Sequence, residues 1–136
     1  MSLPVEKSET TPVRSSEDIV RVRRDVRAAA IEAGFNLVNQ TKIVTAASEI
    51  ARNTVDYGGG GDLRIETLRE GARIGLRLTF KDQGPGIADI RLALTDGYTS
   101  GGGLGLGLSG AKRLCSEFDI RSEPGKGTTV TLVRWK

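Results

Sequence analysis

The chain reads as an α+β domain, with helices on one face of a mixed, largely antiparallel sheet. Three observations carry that reading. Two successive stretches place apolar residues at helical spacing, two alternating stretches are joined by a glycine turn, and a last alternating pair surrounds Glu123-Pro124-Gly125-Lys126-Gly127. The resulting order is α-α-β-β-α-loop-α-β-β, with no internal repeat.

Residues 1–14 are rich in Ser, Thr, Glu and Pro, and read as a flexible tail or a short first strand near Thr11 to Arg14. Residues 15–136 form a single domain. Ser15 offers a helix N-cap with Asp18 three residues on, resembling a capping box with Asp in place of Glu. Ile19, Val22, Val26 and Ala30 then recur at helical spacing, and Gly34 closes the segment. The second helix is expected from about Asn39 to Tyr57, with Val44, Ala47, Ala51 and Val55 as its buried stripe and Ile43 and Ile50 beside it. Gly58 to Gly61 ends it, because consecutive glycines carry a large entropic cost in a helix.

Leu63, Ile65 and Thr67 alternate with charged neighbours, as do Ile74, Leu76, Leu78 and Phe80, and Arg69 to Ala72 is a hairpin turn. Ile87 to Leu94 suits a short helix, Thr95 to Gly103 a polar loop, and Leu104 to Glu117 a further helix. Phe118 to Ser122 and Thr128 to Arg134 form the closing strands.

Composition narrows the chemistry. A chain of 136 residues can bury a real core without disulfides or a structural metal. Aromatics are few (three Phe, two Tyr, one Trp), so the core rests on Leu, Ile, Val and Ala, and a stacking platform for nucleic acid is not expected. The net charge of +3 is modest. Its densest basic cluster, Arg21, Arg23, Arg24 and Arg27, fits a solvated helix face or a docking surface for an acidic partner. With no histidine and one cysteine, Ser-His-Asp and Cys-His catalysis, a zinc site and histidine autophosphorylation are all excluded. Cys115 lies in an apolar-periodic segment and reads as a buried structural thiol. No run has the length of a membrane span and no signal peptide is evident, so a soluble cytoplasmic protein without a membrane partner is expected.

Three segments can hold a ligand. Glu49 and Asn53, four apart, share one helix face beside the apolar stripe. An amide oxygen there can ligate Mg²⁺, and a carboxylate one turn away can orient or deprotonate an attacking hydroxyl. Asp82-Gln83-Gly84-Pro85-Gly86 follows a strand directly, with glycines permitting close backbone approach and Asp82 as an acceptor suited to an adenine amine. Gly101 to Gly107 leads into a helix, where backbone N–H groups and the helix dipole favour phosphate. It is neither a Walker A loop nor a dinucleotide fingerprint. Each segment alone also has a plain reading: an exposed Glu with an unrelated Asn, a helix-capping turn, a glycine linker.

Together, in this order and spacing, they resemble the N, G1 and G2 boxes of the GHKL (Bergerat-fold) ATPase superfamily, whose fold is a two-layer α/β sandwich. The resemblance runs from about Ile19 to Trp135. Ser48-Glu49-Ile50-Ala51-Arg52-Asn53, Asp96-Gly97-Tyr98, Gly103 to Gly107 and Gly127-Thr128-Thr129-Val130 look most like the bacterial stressosome switch serine/threonine kinases (RsbT type), relatives of the anti-sigma-factor kinases (RsbW type).

The resemblance implies ATP and Mg²⁺ as cofactors, with Asn53 on the metal and Glu49 as catalytic base. It places Asp82 on the adenine amine, Gly84 and Gly86 in that wall, Gly103, Leu104, Gly105 and Gly107 at the phosphates, and Thr128 by the adenine. Tyr98, Thr99 and Ser100 would lie in a lid, and Arg52 would face phosphate, a partner or a surface ion pair. The implied substrate is a STAS-domain antagonist protein, with a PP2C-type phosphatase as a further partner. An anti-sigma factor that sequesters a sigma factor, with phosphorylation as its release switch, is the alternative. A nucleotide-gated binding module with negligible catalysis is a third.

Overall fold

The structure, a computed structural model, describes residues 5–86 and 108–136. Five strands form one sheet: β1 (Val5–Val13), β2 (Gly61–Glu70), β3 (Arg73–Asp82), β4 (Glu117–Ser122) and β5 (Thr128–Trp135). Their spatial order is β1-β2-β3-β5-β4, and every pairing among the described residues is antiparallel. The helices are α1 (Ser16–Glu32), α2 (Leu37–Asp56) and α3 (Leu108–Arg113).

Helix α1 follows Ser15, but the Ser15 side chain makes no capping bond. Asp18 instead accepts the Arg14 N–H at 2.9 Å, one residue upstream of the N-cap. At the other end Gly34 N–H reaches the Ile31 carbonyl (3.0 Å) and Phe35 N–H the Ala30 carbonyl (2.9 Å), the paired bonds of a Schellman turn that drives Phe35 into the core. Helix α2 starts two residues before the expected Asn39, because the Asn36 side chain accepts the Asn39 N–H at 2.8 Å. Its buried face also differs from the expected stripe. Val55 is only half-buried, whereas Thr54 is buried and spends its hydroxyl on the Ile50 carbonyl at 2.9 Å.

The β2–β3 hairpin turns at Gly71-Ala72, with Gly71 at φ +61°. Positive φ at the first turn position alone is the pattern of a type II′ turn, whose twist matches the flanking strands. Strand β1 is longer than the few residues the sequence suggested. Its residues 5–10 are exposed and only Thr11 and Val13 are buried, so little apolar alternation marks it. Pairing with β2 holds it at the sheet edge, where Pro12 is tolerated. Helix α3 ends at Arg113, short of the expected Glu117. That residue instead opens β4, and Ser116 N–H donates to the Val133 carbonyl at 2.7 Å. The expected helix Ile87 to Leu94, the loop to Gly103 and residues 104–107 lie outside the described residues.

The core lies between the helices and one sheet face. Val22, Val26, Ile43, Ala47 and Ile50 pack against Leu63, Ile65, Leu76, Leu78, Phe80, Val130 and Leu132. On the opposite face Trp135 lies over Gly75, Arg73 stacks 3.8 Å from the Trp135 ring centre, and Glu117 accepts the indole N–H at 3.0 Å. There Arg77 donates two bonds to Glu66 (2.8 and 3.2 Å), and that pairing holds the Arg77 pKa above its ordinary value. This small cluster closes part of a face the helices leave open.

Cys115 is half-buried, and desolvation pushes its thiol up to about 11. The folded state therefore keeps the proton longer than the unfolded chain. The stabilisation this thiol contributes is complete below its ordinary pKa of 9.0 and falls as pH rises toward 11. Alkylation by iodoacetamide should be slow in the folded protein at pH 8 and fast after unfolding in urea; equal rates would contradict the burial. Phe80, 1% exposed, should cost about 3–5 kcal/mol on truncation to Ala, read from the urea midpoint.

Candidate nucleotide site

The end of β3 and the start of β5 meet at one carboxylate. Asp82, 9% exposed, accepts the Gly84 N–H (2.9 Å) and the Thr128 N–H (3.1 Å) on the same oxygen, Oδ1. Strand register makes this meeting possible. Lys81 pairs with Thr129, so Asp82 falls beside Thr128, and both continue the inward rows Leu76-Leu78-Phe80 and Val130-Leu132. The first residues past the apolar rows thus present polar groups at the same layer edge. With Oδ1 occupied by two backbone donors, the second oxygen is the one left to meet a ligand.

Close backbone approach holds this corner together. A Cβ on Gly127 would run into the Asp82 carbonyl oxygen, and Gly127 also adopts φ +82°, which side-chain-bearing residues rarely do. Gly86, at φ +79°, is pressed in the same way against the Glu123 carbonyl, and Gly125 N–H donates to the Pro85 carbonyl at 2.6 Å. The loop after β3 and the β4–β5 turn are therefore in direct backbone contact.

Helix α2 joins the same corner through its C-terminal end. Gly58 N–H donates to the Asn53 carbonyl at 3.1 Å, closing the last turn. A Cβ on Gly58 would lie 2.5 Å from the Asp82 Cγ, and one on Gly84 would lie 2.7 Å from the Gly58 Cα. Asn53 is thus one helical turn from a residue that touches the Asp82 carboxylate. Glu49 stands one turn further back on α2, and both side chains are half-buried. Arg52 points to solvent.

Of the expected site residues, Asp82, Gly84, Gly86 and Thr128 form one hydrogen-bonded and packed unit, and Asn53 is tied to it through Gly58. Glu49 shares the helix. Gly103, Leu104, Gly105 and Gly107, with Tyr98, Thr99 and Ser100, lie outside the described residues. Among the described residues no cluster of three or more acidic or thiol groups could cage a metal.

Two residues enter the site that the motif reading passed over. Gly58 counted there only as a helix terminator. Ser122 donates to the Gly127 carbonyl at 3.1 Å and bonds the Thr128 hydroxyl at 2.7 Å. Its signal was legible, because Ser122 follows Phe118 and Ile120 in the inward register of β4 and is the polar residue in an apolar row.

This fold with an acidic strand-end turn is that of an ATPase module. Residues 38–136 match the histidine kinase-, DNA gyrase B- and HSP90-like ATPase family, and the chain belongs to it. Its use of ATP follows from that membership. The chain is 46% identical over 118 residues to the serine/threonine-protein kinase RsbT of Bacillus subtilis, covering 87% of this chain and 89% of that protein. It is 34% identical to the anti-sigma F factor of Shouchella clausii over 120 residues, covering 85% and 82% respectively. Among solved structures, that of the RsbU and RsbW domains of Rv1364c from Mycobacterium tuberculosis shares the fold, with a TM-score of 0.61 and 22% identity. The match spans 96% of this chain and 33% of that one.

Gly127→Ala should destabilise the protein by more than about 2 kcal/mol, since strain and a backbone clash coincide there. Gly110→Ala, in helix α3 with open space around it, should be neutral or stabilise by about 0.5–1 kcal/mol. Urea denaturation of both variants distinguishes a site-specific requirement from general glycine flexibility.

Proposed function

We propose that this chain is the kinase of a partner-switching system, transferring the γ-phosphoryl of ATP to a serine or threonine of a STAS-domain antagonist protein. The chain is a serine/threonine-protein kinase of the ATPase class. The observation that carries the finer reading is the presence of Glu49 and Asn53 one turn apart on α2, whose C-terminal end meets the Asp82 corner, in a chain that has no histidine to phosphorylate.

The geometry of the Asp82 corner supports the following assignment of roles. Asp82, its Oδ1 held by two backbone donors, receives the adenine amine on its other oxygen. Thr128 lies beside it, and Gly84 and Gly86 let the backbone of this wall pack closely against Gly58 and Glu123. The Asn53 amide oxygen is a hard ligand suited to Mg²⁺, which keeps most of its shell for water and phosphate and so needs no acidic cage here. When bound, that ion neutralises phosphate charge.

Glu49 accepts the proton of the incoming hydroxyl as the new oxygen–phosphorus bond forms and the bond to the β-phosphate oxygen breaks, releasing ADP. Phosphoryl transfer depends mainly on positioning, so Glu49 orients the hydroxyl at least as much as it deprotonates it. The glycines at 103, 105 and 107 with Leu104 supply phosphate contacts. After transfer the kinase is free to engage a PP2C-type phosphatase. The likeness to an anti-sigma F factor favours a second reading, in which the released surface holds a sigma factor.

Incubation with radiolabelled ATP and a cognate STAS protein should label the STAS protein. Glu49→Gln should cut the rate by about 10²–10⁴-fold while ATP still binds. Equal labelling by Glu49→Gln would remove the assigned role. Asp82→Asn should weaken ATP binding, measured by calorimetry, by at least about tenfold, because an amide in this place presents a donor as readily as an acceptor. Co-purification of a sigma factor in place of a phosphatase would favour the second reading.

A further inference from the structure

Val20 and Ile31 on α1 and Leu37 and Val38 at the start of α2 are between 57% and 69% exposed. Single exposed apolar residues are ordinary, but several on one surface mark a place that is covered in use. The two helices bring these together. The Arg27 guanidinium donates to the Gln40 side-chain oxygen at 3.3 Å, which sets that part of α1 beside the start of α2. Ile31 and Leu37 each lie about one turn from that contact on their own helices.

Charge on α1 is sorted by flank. At 3.6 residues per turn, Val20, Arg23, Arg24, Arg27 and Ile31 fall within an arc of about 100°. Asp18, Asp25 and Glu32 fall on the opposite flank, toward β1. There Asp18 pairs with Arg21 at 3.1 Å, Glu32 pairs with Lys7 at 3.0 Å, and Asp25 lines the same cleft as Lys7 and Glu32. The remaining acid of the helix, Glu17, stands in its first turn, before Val20. Arg23 forms no hydrogen bond or ion pair among the described residues, Arg24 reaches only as far as its neighbour Asp25 at 3.7 Å, and Arg27 meets a neutral amide. Helix α2 contributes no acid before Glu49.

We propose that the outer face of the α1–α2 hairpin is a docking surface for an acidic amphipathic helix of a partner protein. Val20 to Ile31 covers about 16 Å, three turns of helix, with cations between the apolar ends. A helix laid along it fits when its apolar residues recur every three or four positions and carboxylates flank them. A second copy of this chain fits poorly, because a two-fold contact would set the arginines against themselves. A lipid surface fits poorly as well, since this face lacks the Trp or Phe that anchors an interfacial helix. Leu37 lies about 120° around α2 from Glu49 and about 160° from Asn53, so a partner held here leaves that flank of α2 uncovered. The surface stands independently of the nucleotide reading.

The test places the photocrosslinker p-benzoylphenylalanine at Val38 of the full chain, with Arg64 on the open sheet face as the control position, and sequences what is captured in growing host cells. Position 38 should capture a segment of another protein with apolar residues at helical spacing and carboxylates beside them. A synthetic peptide of that segment should bind wild type, by fluorescence anisotropy, at least about tenfold more tightly than the Arg23→Glu/Arg24→Glu variant, and should weaken with added salt. Replacing the carboxylates of the peptide by lysines should restore its binding to that variant. Ile31→Ser/Leu37→Ser should weaken the peptide at every salt concentration. Circular dichroism and ATP affinity should be unchanged in both variants. Capture of a second copy or of lipid at position 38, no capture above the control, or a peptide indifferent to the charge reversal would each overturn the proposal.

Discussion

One oxygen atom holds together the corner where β3, β5 and the end of α2 meet. Asp82 Oδ1 accepts N–H groups from Gly84, in its own loop, and from Thr128, at the start of β5. Bonds to a carboxylate are stronger than those between neutral groups, and here they form where backbone donors would otherwise go unpaired at a sheet end. They lock the loop after β3 to the β4–β5 turn and leave the second carboxylate oxygen beside Gly58. The glycines follow from this. A side chain at Gly58 would press on the carboxylate, one at Gly127 on the backbone that carries it, and one at Gly84 on the Gly58 backbone.

The rest of the fold serves to deliver that corner. The helices bury one face of an antiparallel sheet, and their core is continuous up to the layer edge where Asp82, Thr128 and Ser122 stand in the inward register. Helix α2 crosses the same core and ends at Asp56, two residues before Gly58, so Asn53 lies in its last turn and Glu49 one turn earlier on the same rigid element. A site built on strand ends and one helix keeps its geometry without disulfides or a structural metal. The family membership fits a fold in which the C-terminal end of α2 meets the Asp82 corner through Gly58.

Much of this was legible beforehand because the signals are local. Ile19, Val22, Val26 and Ala30 repeat at helical spacing and are all buried, and Ile74, Leu76, Leu78 and Phe80 alternate as a strand should. The misplacements have local causes too. Asn36 capped α2 earlier than expected by reaching the Asn39 N–H, and Asp18 chose Arg14 over the N-cap residue. Strand β1 gave almost no alternation, because residues 5–10 are exposed on both faces of an edge strand and only Thr11 and Val13 are buried, so pairing with β2 defines most of it.

From sequence come most of the elements, the absence of histidine chemistry and the candidate binding groups: Glu49, Asn53, Asp82 and the glycines. These depend on residue type and near-neighbour spacing, which the chain carries in itself. Folding adds the partnerships across long separations. That Asp82 shares one oxygen between Gly84 and Thr128, that Gly58 backs the carboxylate, and that Ser122 bonds the Thr128 hydroxyl depend on strand register and on α2 ending where it does. A hydrogen bond between residues 46 positions apart is set by the path of the sheet, and no local pattern encodes it.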